Sequence, residues 1–213
     1  MTSMPSPAVV LFGTEEPVPP QRILKAGALS AELDAGNLRH IRFGGVEVIR
    51  AISFIVRDHN WGTAANQLSN LTIQANDNSF SISYQVDNRL GNIDFGWHGT
   101  ITGDSSGTIT FGFEGEAHST FKRNRLGFCV LHPAGAAGAP CQALHTDGRR
   151  TEAVLPRFID PNQPVQPFTD LSGLAHQVLP GVWAELRFSG DAFEMEDQRN
   201  WTDASFKTFC TPL

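Results

Sequence analysis

The sequence has only three Cys, at 129, 141 and 210, with no CxxC pair among them. A sparse, odd set does not build the disulfide framework of a small secreted scaffold, so a reducing cytoplasm is the expected compartment. Long apolar runs are also missing. No stretch approaches the ~20 apolar residues of a membrane-spanning helix. The opening segment MTSMPSPAVVLFGTEEPVPP has no basic flank before its short apolar run, and it is not read as a signal peptide. Basic residues are outnumbered, 16 against 22 acidic, for a formal net charge of -6. A nucleic-acid binder needs the opposite balance, so neither nucleic acid nor membrane is expected as a partner. Glycine-rich nucleotide loops, GxSxG and HExxH are all absent. None of the seven His is spaced as HxH or HxxxH, so no metal and no cofactor is expected. Helical periodicity is scarce as well: no segment reads as a helix longer than about ten residues.

What remains is β texture on a chain that is 40% hydrophobic, enough for a real core in 213 residues. LRHIRF (38–43) and VEVIRAISFIVRD (46–58) are joined by Gly44-Gly45. That is a hairpin signal, because Gly accepts the positive φ of a tight turn. Alternating segments follow at 29–33, 69–77, 80–86, 94–103, 108–117, 127–133, 141–147, 181–188 and 192–197. Ala in 134–139 is outweighed by Gly and flanking Pro, so that stretch is expected to be a loop. Residues 168–179 are expected to hold a short helix. The pattern predicts an all-β fold, a large antiparallel β-sandwich of supersandwich type. Residues 1–20 are Pro-rich and read as an arm, with a single sandwich domain over 21–213.

The densest chemistry lies in FEMEDQRNWTDASFKTF (193–209). With period two, Phe193 and Met195 point one way and Glu194 and Glu196 the other. QRNWTD breaks the alternation and predicts a loop in which Arg199, Asn200 and Asp203 surround Trp201. An aromatic face beside carboxylates and amides suits a sugar: the ring covers its apolar face and the polar groups bond its hydroxyls. The alternative is an ion-paired hairpin with Trp201 in the core. KRNRLGFCVLHP (122–133) offers Arg125 and a strand-end His132. His132 is either a general acid, since imidazole titrates near neutrality, or a satisfied strand-end side chain. RDHNWGT (57–63) brings Trp61 in a polar loop that lines the same groove or simply closes the end of the sandwich.

AGALSAELDAGNLRHIRFGGVEVIRAI resembles the first strands of galactose-mutarotase-like sandwiches. VRDHNWGT, NRLGFCVLHP and FEMEDQRNWTDASFKTF together resemble the N-terminal region of the D-apionate lactonase family, bacterial sugar-catabolic proteins, over roughly residues 11–213. The resemblance implies a mutarotase-like sandwich and a role in opening the lactone of D-apionate during apiose breakdown. Its ligand would be a sugar or sugar lactone. It also implies an α/β-barrel domain beyond this chain as a partner. In such a reaction Glu194 or Glu196 would activate water. Arg125, Arg199 or Lys207 would hold the developing oxyanion or the product carboxylate, and His132 would protonate the leaving alkoxide. Three readings stay open: the sugar-binding domain of a lactonase-like enzyme, a small lactonase or epimerase in its own right, and a structural or docking module. A site requires the polar residues to share an open groove with His132 or Trp61. A structural lock requires them to pair with one another and leave no cleft.

Overall fold

The computed structural model describes residues 4–16, 21–201 and 203–210. The first half of the chain runs as antiparallel strands β1 (Arg22–Ala26), β2 (Leu29–Asp34), β3 (Asn37–Phe43) and β4 (Val46–Asp58), then β5 (Asn66–Ala75), β6 (Phe80–Leu90), β7 (Ile93–Gly103) and β8 (Ile109–Ala117). The second half adds β9 (Arg123–His132), β10 (Pro140–His145), β11 (Arg150–Val154), β12 (Val165–Leu179), β13 (Val182–Arg187), β14 (Phe193–Gln198) and β15 (Ser205–Cys210). A four-stranded sheet of β5, β6, β7 and β8 packs on a larger one ordered β1-β2-β3-β4-β9-β15-β14-β12-β10-β11, with β13 beside β12. The expected all-β sandwich is therefore what forms.

Alternation explains the packing. β6 buries Phe80, Ile82, Tyr84 and Val86, and β7 buries Ile93, Phe95, Trp97 and Ile101. These side chains meet Phe54, whose ring lies 4.2 Å from Trp97 and 4.3 Å from Phe113. Each such ring contributes roughly 1.5–3 kcal/mol by leaving water. The two polar tips in this core are matched: Trp97 Nε1 donates to Asn88 Oδ1 at 2.9 Å, and the Tyr84 hydroxyl donates to the Gly36 carbonyl. A second core of Leu155, Phe168, Leu171, Leu174, Phe193, Met195 and Phe206 lies under the β12–β14–β15 end of the large sheet.

One sequence expectation fails. Residues 168–179 are strand, not helix. The register of β12 on β14 slips between Val165 and Phe168 and again between Phe168 and Leu171, and Asp170 has φ +54°. Each slip changes the spacing of inward positions from two to three, so Phe168, Leu171 and Leu174 imitate a helical face. Gly173 in that strand is needed for close approach, since a Cβ there would lie 2.9 Å from the Leu186 carbonyl oxygen. The amino-terminal arm holds a short helix α1 (Pro7–Phe12), with Ser6 as N-cap, Pro7 in its first turn and Gly13 at φ +72° as its C-cap. Residues 1–3 and 17–20 of that arm lie outside the described residues. The 134–139 stretch is a loop as expected, with a single 3₁₀ turn over Ala134–Ala136.

Candidate functional site

Cross-strand partners share a face of a sheet, and successive residues alternate. Phe54 pairs with Phe128 and Ile52 with Val130, and all four turn toward the four-stranded sheet. The residues between them turn outward. The register Leu131–Lys207–Glu196 and Cys129–Phe209–Glu194 carries that outer face across β9, β15 and β14. Arg125 belongs to it too. Its guanidinium lies 4.8 Å over the Phe209 ring, and Nη2 reaches Glu194 Oε1 at 2.6 Å and Glu196 Oε1 at 3.0 Å. Its Nη1 donates to the Cys210 carbonyl at 3.3 Å. Gln166 donates to the second oxygen of Glu194 at 3.3 Å, and Gln198 to that of Glu196. Two carboxylates thus share one buried guanidinium, and their remaining oxygens accept from amides. That arrangement holds strands together but leaves neither oxygen free to take a proton from water.

The inner face holds His132, and Arg199 is buried beside it. Asp197 and Arg199 form a buried pair, with Arg199 Nε 2.8 Å from Oδ1 and Nη2 2.7 Å from Oδ2. The Arg199 guanidinium stacks 4.3 Å from the Phe206 ring and donates to the Arg157 and Phe158 carbonyls. It pins a loop and offers no open cation to a substrate oxyanion. His132 is fully buried, with Nε2 2.7 Å from Thr208 Oγ1 and its ring 5.3 Å from that of His176. Burial first, and His176 second, push its pKa well below the ordinary value, so the ring is neutral. The expected groove shared by His132 and the carboxylates is not formed, because they lie on opposite faces of the sheet.

The two exposed Trp residues also part company. Trp61 follows the end of β4 that pairs with Arg123, at the start of β9. It is 59% exposed, in a turn where Asp58 Oδ1 accepts from the backbone of Asn60 and Gly62. Trp201 sits in the β14–β15 turn, beyond Phe206, which pairs with His132 at the other end of β9. Nine residues of strand, roughly 30 Å, separate these ends. Trp201 is 45% exposed, so the hairpin is ion-paired but Trp201 is not its core. Asn200 is exposed beside it. Asp203, in the same turn, accepts from Lys207 Nζ at 2.8 Å.

Sequence reasoning missed a cluster of three residues, one of which meets this turn. His40 Nδ1 lies 2.8 Å from Glu47 Oε1, and Arg50 Nε and Nη2 both lie 3.3 Å from Glu47 Oε2. Arg50 Nη1 donates to the Asp203 carbonyl at 3.0 Å, which ties the β3–β4 hairpin to the Trp201 turn. Burial opposes ionisation of Glu47, but the His40 hydrogen bond and the Arg50 guanidinium outweigh it and hold its carboxyl below the usual value. The only trace in the sequence is a His, an Arg and a Glu on strands joined by Gly44-Gly45, which reads as an ordinary exposed hairpin.

The thiols are not candidates. Cys129, Cys141 and Cys210 are buried, and burial raises them to about 12, 11 and 11, so none is a thiolate at neutral pH. Among the described residues no group of three or more His, Cys, Asp or Glu is placed to hold a metal, and no helix is long and apolar enough to cross a membrane. Two surface concavities, one beside Leu144, Gly173 and Leu186 and one beside Gly138 and Val178, are lined by none of the predicted site residues.

The sequence profile of the D-apionate lactonase N-terminal domain matches residues 9–213. The chain belongs to that family. It is 44% identical over 210 residues to the D-apionate lactonase of Brucella anthropi, covering 96% of this chain and 33% of the relative. The chain thus spans about a third of the length of the curated relative it matches.

Proposed function

We propose that the chain is the carbohydrate-binding domain of a D-apionate-lactonase-type hydrolase in the cytoplasm. In this reading it binds a sugar lactone or the hydroxy acid formed on ring opening, and works beside a further domain of α/β-barrel type, with neither nucleic acid nor membrane as partner. The identity to a D-apionate lactonase over nearly the whole chain carries this reading. The exposed Trp201, with Asn200 next to it and Lys207–Asp203 behind, supports the turn as the sugar contact, since an aromatic face and nearby amides suit a polyhydroxylated ring. The test is titration of the chain with the lactone of D-apionate and with D-apionate, followed by ¹H–¹⁵N NMR. Saturable shifts centred on the Trp201 indole are expected. Shifts absent at millimolar ligand would remove the carbohydrate reading.

A second reading has its own support. The buried pairs Arg125–Glu194–Glu196 and Asp197–Arg199 are the arrangement of a structural lock. In that case β14 and β15 only brace the sheet, and exposed Phe158, Ile159 and Trp201 present a docking edge to the rest of the enzyme.

A further inference from the structure

One surface cluster pairs an imidazole with an orienting carboxylate, and the backbone beneath it is irregular on both sides. Ser30 pairs with Arg42 and Glu32 with Arg39, so His40 and Ile41 together face the single residue Ala31 of β2. On the other side the pairing with β4 slips between Ile41 and Arg42. His40 itself has φ +47°. Such a left-handed residue is uncommon outside Gly, although His, Asn and Asp adopt it more readily than others. Bulges re-aim side chains and gather beside sites of chemistry. This one directs His40 Nδ1 onto Glu47 and leaves Nε2 with no hydrogen bond among the described residues.

Two other surface imidazoles are different. His118 lies 3.4 Å from Asp94, with both side chains more than a third exposed, and His98 bonds a Ser83 hydroxyl; both have ordinary backbone. Only His40 is tied through Glu47 and Arg50 to a turn that carries an exposed aromatic ring. Asp203 Oδ1, in that turn, is buried and has no donor among the described residues.

We propose that His40, oriented by Glu47, transfers the proton in opening a five-membered sugar lactone whose ring lies against Trp201. This rests on the carbohydrate reading above. Nε2 takes a proton from water as the water oxygen bonds to the lactone carbonyl carbon. The ring C–O bond then breaks, and the same proton passes to the departing alkoxide. The product is the hydroxy acid, whose carboxyl proton goes to solvent. His40 is the catalytic residue and Glu47 a positioning residue. General acid–base transfer of this kind contributes roughly 100- to 10,000-fold.

The test uses the chain as it stands with the lactone of D-apionate, following opening by pH-stat and binding by the Trp201 indole resonance. His40→Asn removes the imidazole with a residue that tolerates the left-handed backbone. It is expected to lose about 100-fold of the acceleration over buffer while the binding midpoint stays put. Glu47→Gln is expected to lower kcat and leave KM unchanged, and it decides the matter if His40→Asn does not fold. Wild type that binds the lactone but opens it no faster than buffer overturns the proposal and leaves the carbohydrate reading standing. So does His40→Asn, or Glu47→Gln in its place, with wild-type turnover. Absence of binding by wild type takes down both.

Discussion

The two ends of the large sheet are built on different principles. Under β1 to β4 and β9 the core is aromatic and aliphatic, with Phe54 of the large sheet closing against Phe95 and Trp97 of the smaller one. Around β14 and β15 the buried set includes Arg125, His132, His176, Glu196, Asp197 and Arg199. Apolar burial is non-directional and tolerant of changes that conserve volume. A buried charge is stable only while its partner is present. The first end is held by area, the second by pairing, and the second is where the chain's densest polar motif lies. The contrast shows why a charged motif near other sugar-suited residues need not be the reacting centre: at this end the charges are occupied with one another.

The largest expected effect tests that contrast directly. Phe54→Ala and Asp197→Ala are each expected to cost about 3–5 kcal/mol, the first through a cavity and the second by leaving Arg199 buried without a counter-charge. The second substitutions should then separate the two ends. Asp197→Leu combined with Arg199→Met should recover most of the loss in urea unfolding, whereas no partner substitution should rescue Phe54→Ala. A double variant as unstable as Asp197→Ala would mean that the loop contacts of Arg199 to the Arg157 and Phe158 carbonyls dominate.

The paired imidazoles give the next effect. His176 is fully buried with neither ring nitrogen bonded, and burial lowers its pKa from the usual 6.5 to about 4. Above pH 6.5 both folded and unfolded chains carry it neutral, and stability is unaffected. As pH falls from 6.5 toward 4 the unfolded chain takes up a proton that the folded chain refuses, so stability falls, by about 3 kcal/mol at pH 4 for this ring. His176→Leu should reduce the slope over that window, leaving the part that buried His132 contributes, without destabilising the chain at pH 7. An unchanged slope would show that His176 is hydrated or otherwise able to charge in the fold. The smallest expected effect on stability is Trp201→Ala. The ring is half exposed, so unfolding should shift by less than about 0.5 kcal/mol, while lactone-induced NMR shifts should disappear. A large loss of stability would move Trp201 from ligand contact to scaffold.

Much of the fold was legible because it rests on local alternation. β6 and β7 follow runs in which nearly every second side chain is apolar, β4 is an apolar-rich run, and the Gly44-Gly45 turn is visible in the letters. β12 was not legible, since its slips turn a period of two into three and make Phe168, Leu171 and Leu174 look helical. β15 was hidden inside the polar motif, although Phe206 and Phe209 give it both faces. For the site, period two correctly put Glu194 and Glu196 on one face opposite Phe193 and Met195. It could not say that one guanidinium from β9 would occupy both, because that contact spans 71 residues from Arg125 to Glu196.

By itself the sequence determined the strand class, the turns, the absence of a metal-spacing motif and the kinship with the lactonase family, all of which depend on neighbours in the chain or on the pattern as a whole. Tertiary structure alone decided which polar groups are paired and which are open. Lys207 and Asp203 close on each other; His132 turns inward although Lys207 and Leu131, its neighbours in register, turn out. His40 meets Glu47, and through Arg50 the Trp201 turn, only because β3 is bulged and the hairpin lies against that turn. Side-chain periodicity is local and can be read from the letters; the partner of a charge is set by strand order and register, which bring together residues far apart in the chain.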